Sequence, residues 1–408
     1  RTPHLDALAR KAVHLTHFRA PVWCAPSRAA FLAGRHGWEV GLAAAHGWTA
    51  LGSDTLLLSE LLREASYHTA VVGKFHFNPR LREAHPTGGP FGCGFDQQYG
   101  FVGGMTDYYD HHPSWSRDGV NLREKGYATE LFAAEAARIV RQHAAERPHR
   151  PLFLWLSLNA PHTPMQAPEA AVARFPASYP PETRTYLAMV ESMDAAFGVA
   201  VEALRDTRML PRALVLFLAD NGGPMIPPVC NGGLRGGKGT PFEGGVRAPA
   251  FVHWPSCLGR QQRRSSAPAH MVDWLATFAL AAAAGEGAET RARWRQRLRR
   301  KAPHSASLWP ALEGRPLPAA SPLGPRRQLV LQVAASSAGI LRGRWKLVLA
   351  APRCLATPED TPHKEPMPVG SHGGKFHADR FLLWNVHGRN CSAREPPAAR
   401  RGAAGAAG

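Results

Sequence analysis

The stretch L-F-L-W-L-S-L at residues 152–158 is a near-continuous apolar run that passes directly into the polar segment N-A-P-H-T-P at 159–164. Such a run predicts a strand that is buried on both faces of a parallel sheet. Two more runs behave alike: H-T-A-V-V at 68–72 precedes G-K-F-H-F, and A-L-V-L-F-L-A at 213–219 precedes D-N-G-G. A helix is predicted at 181–204, and this strand–helix–strand order indicates an α/β fold with a parallel sheet.

Polar residues follow each of the three apolar runs. The carboxyl ends of parallel strands share one edge of their sheet, and ligands bind beyond that edge. We therefore expect one site to be built from the residues that follow the runs, namely Lys74, His76, His162, Asp220 and Asn221.

The composition is that of a folded protein. The chain has 408 residues, of which 44% are hydrophobic and 20% are charged, so one large domain and a smaller one are expected. No apolar run approaches the ~20 residues of a membrane helix, so no membrane span is expected. The sequence begins at Arg1 without a recognisable signal peptide.

Changes in composition along the chain predict its domains. We expect a main α/β domain at 1–285, a basic Pro/Arg-rich linker with a short helix near 307–312 at 286–327, a small antiparallel-sheet domain at 328–392, and a disordered tail at 393–408. Within the main domain, helical spacing of apolar residues predicts a helix over 5–15. Strands are expected at 328–333 and 339–349.

The net charge of +18 has two interpretations. A positive field attracts polyanions such as sulfated polysaccharide or nucleic acid. Alternatively, the excess reflects solvated basic segments, especially 291–301 and 400–401, and this second interpretation is favoured. No Cys/His finger is present, so nucleic acid is not an expected partner.

The segment C-A-P-S-R-A-A-F-L-A-G-R at 24–35 carries the first chemical motif. A lone cysteine is usually a small buried hydrophobe. Here, however, Cys24 stands at a predicted helix start opened by Pro26, where free backbone N–H groups favour an anion. Arg28, one turn further on, is able to face the same anion with two N–H groups.

Four further motifs follow in order. They are G-K-F-H at 73–76, P-H-T-P at 161–164, D-N-G at 220–222, and a glycine-rich segment containing G-G-K-G at 236–239 and F-E-G-G-V-R at 242–247. Taken alone, each has an ordinary explanation, and D-N-G is a good turn sequence. The carboxylate and amide of Asp220 and Asn221 also suit a hard cation, Ca²⁺ or Mg²⁺. His111 and His112, which follow D-Y-Y-D, are expected at the surface.

Together these motifs resemble the sulfatase family. The resemblance implies an alkaline-phosphatase-like sandwich, in which a large mostly parallel sheet lies between helices, and a small C-terminal α+β domain. It implies hydrolysis of sulfate esters of small molecules or glycans, and a secreted or lysosomal location. It also implies that a formylglycine-generating enzyme reads Cys24, Pro26 and Arg28 and oxidises Cys24 to formylglycine.

The resemblance also implies roles for the site residues. Arg28, Lys74 and Lys238 would hold the sulfate oxygens. His162, with Lys238, would protonate the leaving alcohol, and His76 would act as the base that restores the aldehyde.

The implied cation would be held by Asp220, Asn221 and the modified Cys24, together with two aspartates on a first strand. The opening R-T-P-H-L-D-A-L resembles the helix that follows that strand, so the strand is expected to be missing. Glu243 and Arg247 are expected to be structural. The segments 186–194, 271–277 and 340–348 resemble the arylsulfatase B branch, which acts on N-acetylgalactosamine 4-sulfate.

Two other functions remain open. One is a phosphatase or phosphodiesterase of the same fold, although such enzymes use a Ser or Thr nucleophile and paired zinc ligands. The other is a catalytically inactive relative that binds polyanions through its positive charge.

Overall fold

The computed structural model describes residues 1–42, 51–52, 54–76, 89–111, 115–226, 229–319, 321–324, 327–334, 337–350 and 381–385. Its helices are α1 Pro3–Ala9, α2 Cys24–Ala33, α3 Leu58–Glu64, α4 Ala128–Glu146, α5 Glu169–Val172, α6 Pro181–Asp206, α7 Glu243–Val246, α8 Pro255–Leu258, α9 Asp273–Ala282, α10 Ala288–Lys301 and α11 Trp309–Leu312. Its strands are β1 Val13–Leu15, β2 Phe18–Arg19, β3 His68–Lys74, β4 Gln97–Phe101, β5 Trp115–Arg117, β6 Val120–Asn121, β7 Leu152–Ser157, β8 Val215–Leu218, β9 Ala250–His253, β10 Arg263–Ser265, β11 Ala269–His270, β12 Gln328–Ala334, β13 Ser337–Arg342, β14 Trp345–Ala350 and β15 Phe381–Asn385. The predicted tail at 393–408 and His112 lie outside the described residues.

Strand β3 lies between β4 and β7 in a mixed sheet with the order β6-β5-β4-β3-β7. It pairs in parallel with both β4 and β7. Successive side chains of β3 point to opposite faces. Val71 packs into the core cluster that includes α2, α3 and α9, whereas Ala70 and Val72 pack against Phe132 of α4. Helices therefore cover both faces, which confirms the predicted α/β class.

A second sheet has the order β10-β1-β9-β8 and corrects two predictions. The strand predicted at 213–219 forms as β8, but it pairs antiparallel with β9, which returns after the glycine-rich loop. Within the described residues β8 is not hydrogen-bonded to β7. The helix predicted over 5–15 ends at Ala9, because Val13–Leu15 is the strand β1 between β9 and β10.

The predicted linker at 286–327 is largely structured. Residues Ala288–Lys301 form the helix α10, which the expectation of a linker missed. Trp294 and Leu298, four residues apart and on one face, are buried in the main core cluster. The short helix predicted near 307–312 is present as α11.

The C-terminal strands form an antiparallel sheet with the order β12-β13-β14-β15. The strand predicted over 339–349 is divided into β13 and β14 by a turn at Gly343, whose φ of 57° is a left-handed conformation that glycine adopts easily. Among the described helices, none combines the length and the apolar character needed to cross a membrane.

Candidate active site

Helix α2 positions Cys24 and Arg28. It begins at Cys24, directly after the extended residue Trp23, and all of its residues are buried. Four alanines permit this, because small side chains let neighbouring elements approach from every side. The first backbone N–H groups of a helix have no partner within it, so Cys24 lies where negative charge is favoured.

Arg28 connects the ends of three strands. Its Nη1 donates to the Lys74 carbonyl oxygen at 2.6 Å and to the Ser157 hydroxyl, and its Nη2 lies 3.5 Å from Oδ2 of Asp220. Ser157 donates in turn to the Lys74 carbonyl at 2.7 Å. Nε of Arg28 is buried without a partner. The guanidinium group is therefore fixed at the strand ends with a donor to spare.

Lys74 is the last residue of β3 and His76 follows it, and both side chains interact with Cys24. The Lys74 side chain is only 2% exposed, and this burial, followed by the charge of Arg28, lowers its pKa to about 8. Burial also lowers the pKa of His76, although a hydrogen bond with Cys24 opposes the shift. His76 has a φ of 62°, a left-handed backbone conformation that is strained for a residue other than glycine.

The Cys24 thiol is acidified by its neighbours. Burial and the Asp220 carboxylate raise its pKa, but the hydrogen bond with His76 and the charges of Lys74 and Lys238 outweigh them and lower the pKa to about 7. Because the thiolate is the reactive form of a cysteine, the site is built to carry negative charge at this position.

His162 faces the same cations. Burial, then the charges of Lys74 and Lys238, lower its pKa to about 4. Its Nδ1 lies 2.8 Å from the Thr163 carbonyl oxygen. A carbonyl oxygen only accepts, so Nδ1 carries the proton and Nε2 presents a lone pair in the neutral ring. An anion bound between the lysines would offset their charge and raise this pKa.

Asp220 and Asn221 follow β8 and suit part of a metal site. Burial raises the pKa of Asp220, but the charges of Arg28, Lys74 and Lys238 together outweigh burial and lower the pKa below its usual value. The carboxylate is therefore ionised. Oδ1 of Asn221 is buried without a partner, while its Nδ2 donates to the Gly222 carbonyl at 2.9 Å. These two oxygens fit a hard cation. The described residues contain no cluster of three or more His, Cys, Asp or Glu, so they provide a partial ligand set.

The glycine-rich segment brings Lys238 close to Cys24 and Asp220. A Cβ atom on Gly222 would lie 1.7 Å from the Gly244 carbonyl oxygen, so only glycine allows this close packing of backbones. The Lys238 backbone N–H donates to the Gly223 carbonyl at 2.8 Å, and the Gly239 N–H donates to that of Val22 at 3.0 Å. The loop is thus tied to the segment that precedes Cys24.

The structure brings the predicted site residues together. Arg28 contacts Lys74 and Asp220. Lys74 and Lys238 lie near enough to Cys24, His162 and Asp220 to lower the pKa of each. Sequence reasoning missed Ser157, and also Asn159, whose Oδ1 is buried without a partner. Polar residues inside or directly after an apolar strand were the available signal. His111 was wrongly expected at the surface: it is 2% exposed and its ring stacks on Trp115 at 4.3 Å.

The fold and the site define an α/β protein in which lysine side chains and a histidine act on a buried, acidified cysteine. The family model described as sulfatase matches residues 1–284, and the chain belongs to the sulfatase family.

Among its relatives, mouse arylsulfatase J is 31% identical over 68% of this chain and 48% of its own length. Human N-acetylgalactosamine-6-sulfatase is 30% identical over 62% of this chain and 52% of its own length. The chain thus spans about half the length of these curated relatives. The crystal structure of Ps i-CgsB in complex with k-i-k-neocarrahexaose superposes with a TM-score of 0.72 and 27% identity, covering 86% of this chain and 79% of that one. These relatives do not support the arylsulfatase B branch, which stays a prediction.

Proposed function

We propose that this protein hydrolyses sulfate esters, and that its nucleophile is a formylglycine made from Cys24 by a formylglycine-generating enzyme. The observation that carries the proposal is a set of three cations, Arg28, Lys74 and Lys238, that act on Asp220. Two of them, Lys74 and Lys238, also act on the buried Cys24 at a helix start. Membership of the sulfatase family supports the same reaction, and so do relatives named for sulfated sugars. A sulfated sugar is accordingly the proposed substrate class, and the secretory pathway the proposed location.

The cations bind the substrate and stabilise charge in the transition state. Lys74 and Lys238 approach Cys24 closely enough to lower its pKa, so a sulfate held next to Cys24 meets both ammonium groups. Arg28 adds its unpartnered Nε donor. Because these groups are fixed before the substrate arrives, little reorganisation is needed as negative charge grows on the sulfate oxygens.

When present, formylglycine supplies an oxygen nucleophile, and Ca²⁺ or Mg²⁺ supplies positive charge beside it. Asp220 and Asn221 are the described residues that would hold the cation, together with the modified Cys24. His76, hydrogen-bonded to Cys24, is placed to accept a proton there. His162 directs Nε2 away from Thr163, and it donates a proton to the leaving oxygen once the bound sulfate has raised its pKa.

The chemical state of Cys24 tests the nucleophile. Protein made in a host with the formylglycine-generating enzyme is expected to yield a tryptic peptide 20–28 in which the sulfur of Cys24 has been exchanged for oxygen with loss of two hydrogens. The same protein is expected to hydrolyse an aryl sulfate and not the matched aryl phosphate. An unmodified thiol without turnover would favour the inactive polyanion-binding protein, and faster phosphate release would favour the phosphatase.

His162 provides a second prediction. His162→Ala is expected to lower kcat by about 10²- to 10⁴-fold for an alkyl or sugar sulfate, because the poor leaving group then departs without a proton. The loss should be much smaller for an activated aryl sulfate, whose phenolate needs no proton. Steady-state kinetics on both substrates measure the contrast, with His149→Ala as the exposed control. Equal losses on the two substrates would show that His162 is not the general acid.

A further inference from the structure

Helix α10 is strongly basic and held rigidly. It carries six arginines and one lysine in its 14 residues. Trp294 and Leu298 fix its inner face, because they are only 1% and 5% exposed and lie in the main core cluster. The remaining side chains are therefore presented on a fixed helix rather than on a solvated linker.

A cleft of about 440 Å³ lies between α10 and α3. Arg293, Arg297 and Arg300 line it from α10, and their spacing of four and three residues places them on one helix face. Arg63 lines it from α3. Neither Cys24 nor any other residue of the candidate active site lines this cleft.

Acidic residues neutralise only part of this charge. Glu64 accepts from Nη1 of Arg297 at 2.5 Å, and Asp54 lies 3.4 Å from Nζ of Lys301. Arg63, Arg293 and Arg300 are exposed and have no acidic partner among the described residues. Three like charges on one cleft repel one another, so a bound anion would relieve the repulsion.

We propose that this α3–α10 cleft binds the sulfate groups of a sulfated polysaccharide, at a site separate from the catalytic pocket. The planar guanidinium fork presents two parallel N–H groups to a pair of oxygens, which suits a sulfate. The carboxylates of Asp54, Glu60 and Glu64 lie among the arginines in the same cleft. They accept hydrogen bonds from sugar hydroxyls, which alternate with sulfates along such a chain. A volume of this size accommodates a sugar unit.

A nucleic acid fits the cleft less well. None of the described residues that line the cleft is aromatic, so unpaired bases would find no stacking surface. The lack of a stacking surface, together with carboxylates that can accept from sugar hydroxyls, therefore favours a polysaccharide.

Two double variants of α10 test the proposal. Arg293→Ala/Arg300→Ala removes two cleft arginines, whereas Arg291→Ala/Arg295→Ala removes two exposed arginines of the same helix that do not line the cleft. The first is expected to bind a size-defined heparin oligosaccharide about tenfold more weakly at fixed salt, and the second less than about twofold. Equal weakening would attribute binding to net charge and overturn the proposal. Thermal unfolding verifies that both variants fold, as expected for exposed side chains.

Two further measurements separate the cleft from its alternatives. A Lys238→Ala variant, which removes a cation assigned to the substrate sulfate, is expected to bind heparin nearly as the parent does. Loss of binding would place the heparin in the candidate active site and refute the cleft, while leaving the proposed hydrolysis intact. A DNA duplex of equal charge is expected not to displace the oligosaccharide. If the duplex did displace the oligosaccharide, the proposed ligand would be wrong and a nucleic acid would be the better candidate.

Discussion

Cys24→Ala is expected to lower sulfate ester hydrolysis by about 10⁵-fold or more, because it removes the nucleophile on which the other site residues act. Cys24 is 3% exposed and begins α2, and an alanine fits the same space without strain. The fold should therefore survive, and near-parental thermal unfolding would show that the loss is chemical. Initial rates on an aryl sulfate measure the effect.

Two comparisons make this result specific. Cys93→Ala changes another buried cysteine, which lies outside the candidate site, and is expected to retain activity. Cys24→Ser offers a hydroxyl to the sulfate, so an O–S bond forms to serine while the ester O–S bond breaks and the alcohol leaves with the proton. Serine has no second hydroxyl to expel the sulfate, so the variant should gain one sulfate per chain and stop. Continued turnover by Cys24→Ser would refute the formylglycine nucleophile.

The position of the site was predictable because it depends on short-range rules. Lys74, His76, His162 and Asp220 each come at or after the end of an apolar run. The ends of β3, β7 and β8 meet at Arg28, although β8 belongs to a second sheet and not to the single parallel sheet that was predicted. Cys24 and Arg28 were recognisable for a similar reason, since both stand near the start of one helix, where an anion is favoured. The roles of these residues are not tested by their positions and stay predictions.

Other parts of the fold depend on contacts that are distant in sequence. Strand β8 pairs with β9 across the glycine-rich loop, and nothing in the run 213–219 specifies that neighbour or its direction. Helix α10 was mistaken for a linker because its arginines dominate the composition, although Trp294 and Leu298 have the spacing of a buried face. Ser157 was missed because a single serine in an apolar strand has no visible partner until Arg28 lies next to it.

The Glu243→Ala variant is expected to lower the free energy of unfolding by about 3–5 kcal/mol, because it leaves two buried cations without their partner. Glu243 accepts from Nη2 of Arg19 at 2.9 Å and from Nζ of Lys346 at 2.8 Å. Arg19 and Lys346 are 2% and 1% exposed. The group joins β2 and α7 to β14, so its loss should loosen the C-terminal sheet from the main domain. Urea unfolding measures the cost, and Glu313→Ala, which breaks an exposed pair with Arg315, is the control expected to cost less than about 1 kcal/mol.

The same group predicts how stability depends on pH. Burial raises the pKa of Glu243, but Lys346 and Arg19 outweigh it and lower the pKa from 4.5 to about 2. A carboxyl with a lowered folded-state pKa stabilises the protein above its unfolded pKa, and this contribution is lost as the pH falls from 4.5 towards 2. The parent should therefore lose about 3 kcal/mol over that interval relative to Glu243→Gln, which has no carboxyl to titrate. The free energy of unfolding of both proteins is measured between pH 4.5 and 2. If it falls equally in the two, Glu243 is not charged in the folded parent, and the proposed ion pairs of Glu243 with Arg19 and Lys346 would be refuted.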